Sequence, residues 1–199
     1  MITKTGIFTG YALNENGQNY NIIGSPIISN KILSGTTKGN YISFDISTST
    51  DIEFRIGFKF KTVSQAYNGL ISRGTPGFQF YTKNGTNSLI MELFGNTQVL
   101  SFSNLVIDID YILSFSYSGS TFTATLSSSA SSETKTGSYS NFDMSGTWRL
   151  GVTQSGNYGY DGLIYLEQLL VKSNGETYAP SVSTCISDYQ ISCEEFYEI

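Results

Sequence analysis

Asp51-Ile52-Glu53-Phe54-Arg55-Ile56-Gly57-Phe58-Lys59-Phe60-Lys61 alternates apolar and polar residues over its whole length. At a period of two, Ile52, Phe54, Ile56, Phe58 and Phe60 share one face, and Glu53, Arg55, Lys59 and Lys61 share the other. Helical spacing would scatter the aromatic rings around a cylinder. The stretch is therefore a strand with one face in a core and the other in water.

The same pattern recurs on both sides of it. Upstream, Tyr41-Ile42-Ser43-Phe44-Asp45-Ile46 alternates in the same way. Downstream come Gly69-Leu70-Ile71-Ser72, then Gly77-Phe78-Gln79-Phe80-Tyr81 running to an Asn84-Gly85 turn, then Ser88 to Phe94 and Gln98 to Phe102. Tyr111 to Tyr117 reaches Ser118-Gly119 and returns as Thr121 to Leu126, a hairpin signal. Trp148-Arg149-Leu150-Gly151-Val152 is a further strand. Leu163 to Val171, apolar on both faces at several points, reads as a central one. Ser127 to Ser140 is polar and Ser-rich and reads as a long exposed connection. No helix longer than a turn or two is required. Many short, turn-separated strands predict an all-β, two-sheet antiparallel sandwich of the jelly-roll type. Residues 1–38 read as an N-terminal arm or edge strands, 39–175 as the sandwich, and 176–199 as a tail that is a possible docking segment.

Composition narrows the function classes. Twenty Gly against three Pro, with abundant Tyr and Phe, favour strands and tight turns. The formal charge is −5 and no stretch concentrates Lys and Arg, so neither nucleic acid nor an anionic membrane surface is an expected partner. No apolar run approaches the roughly 20 residues that span a bilayer. The first residues lack the basic region and apolar core of a signal peptide. The expectation is a protein that works in the cytosol or leaves the cell by another route such as lysis. His is absent, which removes the commonest general base and the commonest transition-metal ligand. The two Cys, Cys185 and Cys193, do not form a CxxC pattern; a local disulfide and two free thiols both remain open.

From Tyr41 to Val171 the order of elements resembles the concanavalin-like lectin/glucanase superfamily and its laminin-G-like jelly-roll domains. The resemblance is carried by the Phe54–Phe60 strand followed by Leu70-Ile71-Ser72, by Gly77-Phe78-Gln79-Phe80, and by the Tyr111-to-Leu126 hairpin. It ends on Trp148-Arg149-Leu150-Gly151 and the closing Gly159-Tyr160-Asp161-Gly162-Leu163-Ile164-Tyr165-Leu166. It implies rim loops that bind glycans or a calcium ion, or that only mediate assembly.

Candidate chemistry follows from residue type and position. Glucanases of the superfamily flank one glycosidic bond with carboxylates at alternate strand positions. The nearest match is Asp108 and Asp110, but a third acid is missing, so both read as solvated turn residues and no catalytic residue is assigned. A rim calcium would need converging oxygen ligands; Asp45, Asp51 and Asp161 are its weak candidates, and no other cofactor is expected. Glycan recognition uses aromatic faces with planar amides and carboxylates nearby. Ser155 to Gly162 has that composition, supplying Asn157, Tyr158, Tyr160 and Asp161, with Tyr67 and Arg73 as candidate neighbours. Trp148 reads as a core residue. No Ser nucleophile motif or phosphate-binding loop is present.

The Ser/Thr/Asn/Gly/Tyr-rich, His-free composition also resembles that of exposed bacteriophage appendage proteins. The expected function is a non-enzymatic structural or adhesion protein of a phage particle, with virion proteins or copies of itself as partners through its terminal segments. The alternative is a carbohydrate-binding module for a cell-surface glycan; a glycoside hydrolase is a third reading.

Overall fold

The computed structural model describes residues 10–13, 19–29, 32–46, 50–61, 65–74, 77–93, 97–139, 143–174 and 176–177. Most of the C-terminal tail, with Cys185 and Cys193, lies outside these residues. Among them there are strands and turns and no helix. The strands are β1 (Gly10–Leu13), β2 (Asn19–Ile23), β3 (Ile27–Ser29), β4 (Ile32–Ser34), β5 (Tyr41–Ile46) and β6 (Asp51–Lys59). They continue with β7 (Tyr67–Arg73), β8 (Phe78–Lys83), β9 (Leu89–Leu93), β10 (Thr97–Phe102), β11 (Asp110–Ser118) and β12 (Thr121–Ser127). The last are β13 (Ser132–Ser138), β14 (Gly146–Leu150), β15 (Leu163–Ser173) and β16 (Glu176–Thr177).

Two antiparallel sheets face each other. The first runs β1-β2-β5-β14-β7-β8-β9-β10, and the second β13-β12-β11-β6-β15-β4-β3, with β16 paired to β15. The chain is an all-β, two-sheet antiparallel jelly-roll sandwich. The deciding strand β6 lies inside the second sheet between β11 and β15, and its apolar face is buried in alternation. Phe54 stacks on Phe115 at 4.9 Å within that sheet and meets Phe78, Phe80 and Trp148 of the other sheet edge-on or tilted at 6.0 Å. Trp148 is fully buried, and its indole N–H donates to the Met144 carbonyl at 3.0 Å. Burying an indole stabilises only when that N–H finds an acceptor. The expected core role of Trp148 holds.

Two sequence readings are corrected. Ser132–Ser138 is not a loop: it is strand β13, paired with β12 over seven residues. As an edge strand it is solvated on most of its length, so the apolar alternation that marks a strand never develops. The closing strand β15 is central, as expected, between β6 and β4, but its apolar residues do not bury both faces along one phase. Its register against β6 shifts between Tyr165 and Leu170, and the inward set changes phase from Ile164 and Leu166 to Leu169 and Val171. The Gln168 side chain lies over Gly57 of β6, where a Cβ would meet its amide oxygen at 2.0 Å. A bulge that flips the pleat looks, in sequence, like a strand apolar on both sides.

Candidate functional site

The loop from Val152 to Gly162 connects β14 to β15 and is braced by its own polar groups. Val152 and Gly159 form a bridge, Thr153 N–H donates to Tyr158 O at 2.9 Å, and Gly156 N–H donates to Thr153 O at 2.8 Å. Gly156 takes φ +72°, a left-handed turn position that glycine occupies at least cost. The loop lies directly on β7. Gly69 N–H donates to Gly159 O at 3.0 Å, and a Cβ on Gly69 would sit 2.2 Å from Thr153 N. Bare backbone at Gly69 is what lets the loop approach.

This arrangement places Tyr67, at the start of β7, beside the loop. Its ring is 5.4 Å from Tyr158 and 5.5 Å from Tyr81 of β8, and it is 37% exposed. Asn157 and Asp161 are exposed on the same loop. The Asp161 backbone N–H donates to Asn68 Oδ1 at 2.5 Å, and its carboxylate accepts from Gln65 Nε2 at 3.1 Å. Four of the six expected ligand residues, Tyr67, Asn157, Tyr158 and Asp161, therefore meet at one rim.

The other two do not join them. Tyr160 is 1% exposed: its ring packs edge-on against Phe58 at 6.3 Å and its hydroxyl donates to Lys59 O at 3.0 Å. It faces the core where the Thr36 hydroxyl holds its backbone, accepting from Tyr160 N–H at 2.8 Å and donating to Tyr160 O at 3.2 Å. Burial holds its phenol far above the ordinary range. Arg73 ends β7, six residues and roughly 20 Å along the strand from Tyr67. It sits opposite Trp148, is 6% exposed, and its Nε donates to Ser145 O. Desolvation lowers its pKa against the opposing pull of Asp143. Arg73 thus closes the far end of the core.

The structure also separates the acidic candidates. Asp51 and Asp161 stand at opposite ends of β6, and Asp45 accepts from Thr147 Oγ1 at 2.5 Å. Among the described residues no three His, Cys, Asp or Glu side chains cluster as metal ligands. Asp108 and Asp110 are engaged as surface ion pairs, Asp108 with Lys61 and Asp110 with Lys59 at 3.2 Å. A hydrogen bond from the Tyr165 hydroxyl, and then Lys59, hold the Asp110 carboxyl below the usual carboxylate range.

One feature of the site was not foreseen from sequence. Ser43, Arg149, Ser72, Gln79 and Glu92 lie in consecutive cross-strand register on the outer face of the first sheet, beneath the loop. Gln154 N–H donates to Gln79 Oε1 at 3.1 Å, and Gln79 Nε2 donates to Glu92 at 3.3 Å. Burial, and then the Glu92 charge, push the Tyr81 phenol up. Arg149 donates to Gln154 O at 3.1 Å and lies 5.8 Å over the Tyr41 ring. Arg149 Nε and Gln154 Oε1 are both buried without a hydrogen-bond partner, a donor and an acceptor whose complement is a hydroxyl group. The available sequence signal was that each row member alternates with a core residue, as Arg149 does between Trp148 and Leu150.

No protein-family model and no curated protein matches the chain. Solved structures do match in fold. One is the full-length tailspike protein 2 of Escherichia coli O157:H7 bacteriophage CAB120, at 10% identity over 75% of this chain and 24% of the tailspike, with a TM-score of 0.55. Others are the family 7 alginate lyase A1-II' (9% identity, 82% of this chain and 83% of the lyase, TM-score 0.49) and lectin II from Ulex europaeus (8% identity, 82% and 90%, TM-score 0.49). The chain spans about a quarter of the tailspike's length. At these identities the likeness is one of fold.

Proposed function

We propose that this chain is a non-catalytic, carbohydrate-binding sandwich of a bacteriophage particle, and that the Tyr67–Tyr158 rim contacts a cell-surface glycan. The observation that carries the reading is the convergence of two tyrosine rings 5.4 Å apart with Asn157, Asp161 and Gln65 on one braced loop and its neighbour. Tyrosine faces bury the C–H side of a sugar ring at small entropic cost, and amide and carboxylate groups fix its hydroxyls. The −5 charge favours a neutral glycan over a polyanionic one. The fold shared with a phage tailspike is compatible with a place in such a particle, and the Ser/Thr/Asn/Gly/Tyr-rich composition supports it. Its site of action would be the virion, after assembly in the host cytoplasm.

A glycan array tests the binding half. The wild type binds a defined subset of neutral glycans, and Tyr67→Ala with Tyr158→Ala weakens that binding about tenfold or more. The melting temperature of the double variant stays close to that of the wild type, because both rings are at the surface. A blank array for the wild type, or equal binding by the variant, overturns the site. Cleavage of the bound glycan during incubation overturns the non-catalytic half, and absence of the chain from purified virions by mass spectrometry overturns the phage assignment.

A further inference from the structure

Sheet edges invite pairing with another chain, and natural sandwiches blunt them with short strands and bulges. Among the described residues, three of the four strands that end the two sheets are blunted. β1 pairs over four residues, β3 over three, and β10 carries a register break between Gln98 and Leu100. The fourth edge, β13, follows β12 over seven residues without a shift, and no described residue pairs with its other side.

The sequence of that edge is Ser132-Glu133-Thr134-Lys135-Thr136-Gly137-Ser138. It has no Pro, and Thr134 and Thr136 are β-branched. A lone edge lysine repels a second copy where the two-fold axis passes through it, because lysine then lies opposite lysine. Here Glu133 lies on the same face two residues away, with its carboxylate 3.0 Å from Lys135 Nζ. An antiparallel pair centred on Thr134 brings Glu133 opposite the second copy's Lys135, and Lys135 opposite the second copy's Glu133. Ser132 then faces Thr136. Directly opposed residues stand close enough for such pairs to contribute. The edge is self-complementary in charge.

We propose that β13 pairs antiparallel with β13 of a second copy of this chain, centred on Thr134, joining the two second sheets into one continuous sheet. The proposal stands on the edge alone and is independent of the glycan reading. It also differs from the expected route of assembly, which was through the terminal segments.

Sedimentation velocity over a concentration series tests it. The wild type forms a dimer. Lys135→Glu alone, or Glu133→Lys alone, sets like charges opposite each other in both symmetry-related pairs and weakens the dimer roughly tenfold. Combining Glu133→Lys with Lys135→Glu restores complementarity in the reverse sense and returns the dimer to within about threefold of wild type. Hydrogen exchange gives a second readout that needs no variant: amides of 132–138 exchange more slowly as wild-type concentration rises. A wild type that stays monomeric throughout the series overturns the proposal. So do single variants that dimerise normally, or a double variant that fails to recover while its monomer remains folded.

Discussion

Trp148→Ala is expected to destabilise the fold by about 4 kcal/mol, the range in which large aromatic truncations fall. The indole is fully buried and sits where the two sheets meet, 5.2 Å from Phe78, 6.0 Å from Phe54 and 6.4 Å from Phe44. Removing it leaves a cavity bounded by rings that are anchored on three different strands, β5, β6 and β8, and cannot collapse together. It also strips the Met144 carbonyl of its donor in a buried position. Domains of this size are held by roughly 5–15 kcal/mol, so the variant is marginal at best. Trp148→Phe keeps most of the volume and loses the hydrogen bond, and its expected cost is about 1–2 kcal/mol. Urea unfolding followed by far-ultraviolet circular dichroism measures both, since this is the chain's one tryptophan and its fluorescence disappears with it. A loss below about 1 kcal/mol for the alanine variant would mean that Trp148 does not bridge the sheets.

How much of this was legible in the sequence depended on whether each residue sees the core. In β5, β6, β8 and the β11–β12 hairpin the core-facing apolar residues alternate with mostly polar ones, and that alternation marks them directly. β13 was illegible for the opposite reason. It lies at an edge, where only Lys135, 5.7 Å over the Phe102 ring, and Gly137 are half-buried and the other five residues are exposed. Its polarity is a consequence of position and reads as a loop. The phase flip in β15 was illegible because periodicity records only which face a residue takes, while the bulge between Tyr165 and Leu170 changes the face midway.

The candidate site divides along similar lines. Tyr67 and Tyr158 stand 91 positions apart in sequence, and only the passage of the loop across Gly69 brings them together. The structure leaves Asn157 and Asp161 exposed and Tyr158 half-buried at the rim, whereas loop composition could not assign direction to Tyr160, which differs from Tyr158 by two positions in an irregular segment. Direction there is set by Thr36, whose hydroxyl accepts from Tyr160 N–H at 2.8 Å and donates to Tyr160 O at 3.2 Å. A contact across 124 residues leaves no local mark. The polar row under the loop escaped for a different reason: Ser72, Gln79 and Glu92 are ordinary outward residues one strand at a time, and become a network only in register.

Tyr160→Ala and Tyr160→Phe therefore separate holding the loop from contacting the ligand. Loss of the whole ring removes the contact with Phe58 and opens the end of the core, at an expected cost of about 3–5 kcal/mol. Loss of the hydroxyl alone leaves the Lys59 carbonyl without its donor, at about 1 kcal/mol or somewhat more. Because Tyr160→Phe keeps the ring in place, its glycan binding is expected within about twofold of wild type, whereas Tyr158→Ala loses it. The phenol adds a pH signature. Its folded pKa is raised by burial, so the stability it contributes is complete below the ordinary tyrosine value of 10.0. Above that value the unfolded chain releases the proton and the folded chain keeps it, and stability falls as pH rises. Tyr160→Phe removes this contribution, so its stability declines less steeply above pH 10 than that of the wild type. Unfolding midpoints from neutral to strongly alkaline pH measure the difference. Equal slopes for the two proteins would place the phenol in water, and with it Tyr160 back among the ligand contacts.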